Sequence, residues 1–337
     1  MKDFTHYSLL DHNTFGIDVT CRRFVEFEKA SEVTPFVCSL SEEDKPLLMI
    51  GAGSNLLLTG DFEGTVLHSA IKGVESTTED GHVLLRCGSG ETWDDIVSFC
   101  VDHGWYGLEN LSHIPGEVGA SAIQNIGAYG AEVKNAIWNV EAVDMETGVM
   151  VNIDQKDCGY GYRDSRFKHE WKNKYFITAV TYRLSENFTP VVDYGNIRQR
   201  LEELGITKPS AQQLREVVIS IRDSKLPDPK IEGNAGSFFV NPVVSREKFL
   251  QIQKDYPDMP HYPVDERHEK IPAGWLIEQC GWKGKTLGRA GVHDKQALVL
   301  VNKGGATGDE ILRLCETVKA DVLERFGIEI SSEVNII

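Results

Sequence analysis

The residues best equipped for chemistry lie between Arg222 and Pro242, in the stretch RDSKLPDPKIEGNAGSFFVNP. Pro227 and Pro229 fix the backbone there, and Gly233, Asn234, Ala235 and Gly236 make a turn that can approach another body closely. Ser237 comes next, just before Phe238 and Phe239 enter a core, so its hydroxyl can face a bound molecule. Lys225 and Lys230 flank the turn and suit an anionic one; a solvated serine on a tight surface loop is the plainer alternative. Arg163 sits in CGYGYRDSRFKH (158–169) among Tyr160, Tyr162, Asp164 and Ser165. Arginine grips carboxylates and phosphates with two parallel hydrogen bonds, although a structural Arg–Asp pair would use the same residues. Glu333 stands between apolar neighbours in the terminal ISSEVNII, either buried with a raised pKa or facing water from an edge strand. His293 is isolated and reads as structural.

Two glycine-rich blocks add binding chemistry. Residues 47–50 (LLMI) read as a short strand running into Gly51-Ala52-Gly53-Ser54-Asn55. A dinucleotide fingerprint needs glycine at the position held by Leu56, and no acid follows at a second strand end, so the Rossmann reading fails. A loop rich in backbone N–H groups, with Ser54 and Asn55 as further donors, can still cradle phosphate. The second block, GLENLSHIPGEVGASAIQNIGAYG (107–130), crowds Gly116, Gly119, Ala120, Ser121, Ala122, Gly127, Ala128 and Gly130 together after Pro115. So few bulky side chains suit either a flat body lying on the backbone or a close helix-to-sheet contact. GWKGKT (281–286) is not a P-loop, because Gln279 stands where the first glycine is required.

The elements that hold these groups follow from periodicity. Alternation and apolar runs predict strands at 22–27, 47–50, 82–87, 137–144, 149–153, 176–183 and 297–302. Helical spacing marks 93–100, with Gly104 as its stop, and a helix capped by Ser210 whose stripe is Leu214, Val217, Val218 and Ile221. Further helices are expected at 245–255 and through 311–322, the latter closed by Gly327. Ser31 is expected to cap a helix reaching Leu40, Met145–Gly148 to turn a hairpin, Asp193-Tyr194-Gly195 to expose an aromatic, and PDMPHYP (257–263) to be a solvated linker.

A chain of 337 residues is long for one core and predicts two or three domains. Its net charge of −16, with no basic run, argues against nucleic acid as a partner, so an anionic ligand needs a local pocket of positive groups. No apolar run approaches the length of a membrane span, and the start lacks a signal-peptide core. Seven cysteines without a CxxC pair point to reduced, buried thiols rather than disulfides or a metal site. The expectation is a soluble cytoplasmic protein.

In this order NTFGI, GAGSNLL, GLENLSHIPGEVGASAIQNIGAYG, GYRDSRFKHE, KLPDPK, GNAGSFFVNP, AGWLIEQ, GVHDKQALVLVN and SSEV resemble the UDP-N-acetylenolpyruvoylglucosamine reductase (MurB) family over nearly the whole chain. The surroundings of Tyr194 resemble its longer, type I form. The resemblance implies an α+β fold of three domains. A non-Rossmann FAD-binding region of the vanillyl-alcohol-oxidase/PCMH type would comprise an N-terminal subdomain (1–70) and a central domain (71–217, rejoined by 326–337). A C-terminal α+β domain (218–325) would bind substrate. Also implied are non-covalent FAD, NADPH as co-substrate, and reduction of UDP-N-acetylglucosamine enolpyruvate to UDP-N-acetylmuramate in peptidoglycan synthesis.

Site roles carry over position by position. Ser237 matches the proton donor; Arg163 and Glu333 match the groups that stabilise the enolate left by hydride transfer from flavin N5, Glu333 as a protonated carboxyl. Gly51, Gly53, Ser54 and Asn55, then Pro115, Gly116, Gly119, Ala120 and Ser121, then Gln124, Asn125, Gly127, Ala128 and Tyr129, match the FAD site. Tyr194, Lys225 and Asn241 match residues that bind the uridine diphosphate, with Tyr162, Arg222 and Gln296 lining the same pocket. Glu117 and Ala122 are local variants in the flavin loop. NADPH is expected to use the substrate pocket in turn, and a monomer is expected. Two alternatives remain at this point. One is a flavin oxidase on the same fold, with His113 or Cys87 as its covalent tether; the other is a sugar-nucleotide-binding protein without turnover.

Overall fold

A computed structural model describes residues 1–337, and the chain gathers into two compact units. The first comprises Met1–Tyr7, Cys21–Ala52 and Phe62–Ser224; the second comprises Ser8–Thr20, Gly53–Asp61 and Lys225–Ile337. No helix is long and apolar enough to cross a membrane.

The first unit holds two sheets. One has four strands in the order Lys2–Ser8, Thr20–Phe27, Phe62–Ser69 and Leu47–Ile50, the last three mutually parallel. The other is a five-stranded antiparallel sheet in the order Met150–Asp154, Ile137–Asp144, Tyr175–Leu184, His82–Gly88 and Val74–Glu79. Alternation along His82–Gly88 sends Val83, Leu85 and Cys87 inward. They meet Trp93, Ile96, Val97 and Cys100, the buried stripe of helix Trp93–Asp102, and Val118 and Ala122 of helix Val118–Gln124. Each fully buried apolar side chain of this kind contributes about 1.5–3 kcal/mol. Gly104, at φ +72°, ends the longer helix as expected. The 145–148 hairpin forms because the Asp144 carboxylate accepts the N–H groups of Glu146 and Thr147, both at 2.9 Å.

Helix Ala211–Lys225 starts at a reciprocal cap. Gln213 N–H donates to Ser210 Oγ (3.2 Å), and Ser210 N–H donates to Gln213 Oε1 (3.0 Å). Its stripe of Leu214, Val217, Val218 and Ile221 packs with Ile197 and Leu201. Arg215 turns the other way, buried, with a two-pronged grip on Asp94 at 2.7 and 2.9 Å.

The second unit has two three-stranded sheets. Val243–Ser245, His268–Lys270 and Tyr262–Pro263 form one; Thr286–Leu287, Ala290–Val292 and Leu300–Asn302 form the other. Helix Gly308–Phe326 is capped by Thr307 with Glu310 and stopped by Gly327 at φ +60°. The end of the chain, Asn335–Ile336, pairs in parallel with Leu56–Leu57.

Three local expectations need correction. Ser31 caps nothing: Ala30–Glu32 is a 3-10 turn, and the helix runs Val33–Ser39 without a side-chain cap. Glu32 Oε2 instead accepts the N–H groups of Glu28 (2.9 Å) and Lys29 (3.1 Å). Residues 257–263 are not merely a solvated linker, because Met259 is buried and Tyr262–Pro263 is a strand. The expected strand at 297–302 shortens to Leu300–Asn302, although Ala297 and Val299 are buried. Five cysteines are buried as expected, but Cys38 is exposed and Cys280 only half-buried.

Candidate active site

In the second unit the serine turn is held from three sides. Asn234 is buried; its Nδ2 donates to the carbonyls of Pro227 (3.2 Å) and Glu232 (2.9 Å), and its Oδ1 accepts Gly236 N–H (2.9 Å). Thr14 Oγ1 donates to the Asn234 carbonyl at 2.6 Å. Gly233 is glycine because a Cβ there would lie 2.2 Å from the Phe15 carbonyl oxygen. After Gly236, at φ +69°, Ser237 emerges exposed, and Phe238 N–H anchors to the Leu298 carbonyl at 2.7 Å. The chain's last segment runs antiparallel alongside: Phe239 pairs with Ser332, and Glu333 N–H donates to the Phe238 carbonyl at 2.8 Å. Asn55 Nδ2 donates to the Glu333 carbonyl at 3.4 Å. Ser237, Glu333 and Asn55 are thus brought together.

Two other residues predicted for this unit are tied to the scaffold. Asn241 Oδ1 accepts Ala273 N–H (2.9 Å) at the start of helix Ala273–Gln279, and Gln296 Oε1 accepts Leu298 N–H at 3.3 Å. Gly53, at φ +66°, packs on the His12–Asn13 backbone, where a Cβ would sit 2.0 Å from the His12 carbonyl oxygen. Ser54 is half-buried and Lys225 exposed. His293 is buried, and its Nδ1 faces the N–H groups of Lys295 and Gln296 at 3.4 and 3.3 Å, as a structural histidine does.

In the first unit a second group converges. Arg163, in the left-handed region at φ +54°, lies with its guanidinium 5.9 Å from the exposed Tyr162 ring. A Cβ on Gly127 would stand 3.4 Å from Arg163 Nη1. Gly130, at φ +82°, lies against Tyr194, whose ring is exposed as expected; a Cβ there would meet Tyr194 Cβ at 3.2 Å. Asn110 Nδ2 ties the Tyr129 carbonyl (2.9 Å) to that of Val191 (2.8 Å). Arg222 Nε donates to the His113 carbonyl at 3.0 Å. Burial lowers the Arg222 pKa, and the charge of Arg163 lowers it further.

The flavin block divides between binding and packing. Gly119 is small because a Cβ would stand 3.0 Å from Ser89 Cβ, the close helix-to-strand contact left open above. Ser121 is buried, with Oγ donating to the Val118 carbonyl (2.6 Å) and bonded to Tyr182 Oη (2.9 Å). Asn125, also buried, donates to Glu132 Oε2 (2.8 Å) and the Gly161 carbonyl (2.6 Å), and accepts Lys134 N–H (3.1 Å). Both side chains are therefore committed to holding the loop. Gly116, Ala120, Gln124 and Ala128 stay half-buried, and Pro115 is exposed. Gly51 borders a slot that a Cβ would narrow to 3.1 Å from Glu117 Oε2 and 3.5 Å from Ala120 Cβ.

Sequence comparison adds the family. Residues 228–337 match the UDP-N-acetylenolpyruvoylglucosamine reductase, C-terminal domain, and residues 21–154 match the FAD binding domain family. A UDP-N-acetylenolpyruvoylglucosamine reductase of Bacteroides fragilis is 54% identical over 98% of this chain and 99% of its own. One from Pseudomonas syringae pv. tomato is 45% identical over 98% and 97%. The chain belongs to the UDP-N-acetylenolpyruvoylglucosamine reductase family. The crystal structure of such a reductase from Thermus caldophilus shares the fold, with a TM-score of 0.68 at 21% identity over 99% of this chain and 98% of that one.

The chain is accordingly an α+β flavoprotein oxidoreductase of peptidoglycan synthesis with FAD as cofactor. The glycine-kept slot beside Gly51 fits a cofactor that lies against backbone. Neither candidate for a covalent flavin link is suited to it. Cys87 is fully buried, and desolvation pushes its thiol far above the ordinary range; the His113 imidazole is paired with Asp223 at 3.0 Å.

Sequence reasoning missed a buried group beside Gly51. His68 lies between two carboxylates, with Nδ1 3.0 Å from Glu26 Oε2 and Nε2 3.1 Å from Glu117 Oε1. Only the oddity of an acid at 117 hinted at it.

Proposed function

We propose that this reductase converts UDP-N-acetylglucosamine enolpyruvate to UDP-N-acetylmuramate at the expense of NADPH, in the cytoplasm and as a monomer. The three-domain division at 1–70, 71–217 with 326–337, and 218–325 belongs to the same proposal. FAD, when bound, carries a hydride from NADPH to the enolpyruvyl double bond. The chain's own residues handle the charge and the proton. Arg163 and Glu333 stabilise the carboxylate-conjugated enolate, Glu333 by donating a hydrogen bond from a neutral carboxyl. Ser237 gives the proton to the adjacent carbon; a serine hydroxyl is too weak an acid in water and acts only on a strong base held within hydrogen-bond reach.

Tyr194, Lys225 and Asn241 bind the uridine diphosphate, and Tyr162, Arg222 and Gln296 contribute to holding the same substrate. Backbone at Gly51, Gly53, Pro115, Gly116, Ala120, Gly127 and Ala128, with Ser54, Asn55, Gln124 and Tyr129, binds FAD. Gly119, Ser121 and Asn125 keep that loop in shape.

The observation that carries the reading is the hydrogen bond from Glu333 N–H to the Phe238 carbonyl, which brings the terminal acid beside the residue that follows the exposed serine. The test is an anaerobic visible spectrum of the purified protein. Bleaching of a releasable yellow flavin by NADPH and recovery of colour with the enolpyruvyl substrate are expected. Recovery only with oxygen would refute the reductase reaction.

A further inference from the structure

His68 is the buried titratable group that the proposed mechanism leaves unused. It lies on strand Phe62–Ser69, which pairs with Thr20–Phe27 at Glu26 and with Leu47–Ile50 at Ile50, the residue before Gly51. Both ring nitrogens face carboxylate oxygens at hydrogen-bond distance. A neutral imidazole carries one N–H, so one lone pair would then point at an anion; only the imidazolium donates on both sides. Glu26 has a second cation, Lys2, with Nζ 2.7 Å from its other oxygen; Lys2 also reaches Glu28 at 3.2 Å. Glu117 depends on His68, and its other oxygen, Oε2, is the atom that borders the slot over Gly51. The Phe24 ring lies 6.1 Å away between centroids.

We infer that His68 is a positioning residue for cofactor binding: as an imidazolium it cancels the Glu117 charge beside Gly51, so that uptake of a dinucleotide pyrophosphate is coupled to the proton on His68. The inference rests on Gly51 belonging to the FAD site. Lys2, Glu26, His68 and Glu117 together are neutral while His68 is charged and carry one net negative charge when it is not. A pyrophosphate therefore favours the protonated form, and by reciprocity the protonated form favours pyrophosphate. Burial by itself would lower the His68 pKa, but the hydrogen bonds and charges of Glu117 and Glu26 outweigh it and raise it. The change consequently falls above the ordinary histidine pKa.

The test measures FAD dissociation constants by fluorescence and equilibrium dialysis between pH 6 and pH 9, using full-length protein stripped of flavin. Wild type, His68→Gln and Glu117→Gln are compared, with circular dichroism confirming that each is folded. Wild-type affinity is expected to fall with rising pH by about tenfold for each unit by which FAD raises the His68 pKa. His68→Gln is expected to give a flat profile; Glu117→Gln, which takes away one of the two anions that hold the proton on His68, is expected to move the change to lower pH and to bind more tightly than wild type at pH 9. Calorimetry in two buffers of different ionisation enthalpy should show proton uptake on FAD binding by wild type and none by His68→Gln. Since Glu117→Gln keeps His68, the proposal stays testable if His68→Gln fails to fold. A change at the same pH in wild type and Glu117→Gln, or the same slope in wild type and His68→Gln, would overturn the inference and leave the proposed function intact. Absence of flavin binding at every pH would overturn both.

Discussion

Replacing Asp94 with alanine should be among the costliest single substitutions in the first unit. Arg215, buried on helix Ala211–Lys225, donates from Nη1 to Asp94 Oδ1 at 2.7 Å and from Nη2 to Oδ2 at 2.9 Å. Asp94 is half-buried while Arg215 is buried, so removing Asp94 leaves the Arg215 charge partly uncompensated, at a cost of about 2–3 kcal/mol, below the figure for a fully buried pair. Asp94 also accepts the His113 N–H, and loss of that bond adds about 1 kcal/mol. Asp94→Leu combined with Arg215→Met removes both charges and should recover most of the loss, because replacing a buried pair with apolar groups is often close to neutral.

The sign with pH is fixed. Burial would raise the Asp94 pKa, but Arg215 and the His113 N–H outweigh it and hold the carboxyl below its ordinary value. Its contribution is therefore present above the unfolded pKa, about 3.9, and is lost as pH falls through the lower folded value. Urea unfolding would be followed by the fluorescence of Trp93, which is fully buried beside Asp94. Asp94→Ala should lower stability by several kcal/mol at pH 7, with the gap to wild type closing below about pH 4. A gap under about 1 kcal/mol at pH 7, or one unchanged at pH 3, would refute the reasoning.

The remaining expectations concern the second unit. Ser237→Ala should leave bleaching by NADPH intact and slow the return of colour by about 100-fold or more in stopped-flow absorbance, the scale of a lost general acid. Asn241→Ala should cost about 1 kcal/mol in thermal unfolding, because the residue satisfies the first N–H of helix Ala273–Gln279 as well as any ligand. Its KM is then interpretable only beside its melting temperature. Gly53→Ala should destabilise by about 2 kcal/mol or more in chemical denaturation, since a Cβ would lie 2.0 Å from the His12 carbonyl oxygen at a φ of +66°.

What the sequence disclosed is what local physics decides. The alternation of His82–Gly88, the stripe of Ala211–Lys225, the Ser210 cap and the stops at Gly104 and Gly327 each depend on residues within a turn or two. What it hid depends on distant partners. Nothing near Gly119 announces Ser89, and nothing near Gly130 announces Tyr194. The amides of Asn125 and Asn241 look like ligand donors in a glycine-rich setting, yet their bonding capacity is committed wholly or partly to remote backbone. Ser31 misled because Glu32 satisfies the N–H groups ahead of the helix first. His68 itself gave no signal and only the acid at 117 hinted at the group, since its partners stand 42 and 49 residues away.

The second unit is assembled from three separated stretches, and its terminal strand pairs with residues 56 and 57. During synthesis the ribosome delivers Ser8–Thr20 and Gly53–Asp61 early and their partners last. The first unit, complete at Ser224, can condense while the chain is still growing; the second must wait until Asn335–Ile336 has emerged. For that interval the apolar Leu56–Leu58 run has no native cover, which makes the nascent chain at this stage the form most exposed to aggregation and to chaperone capture.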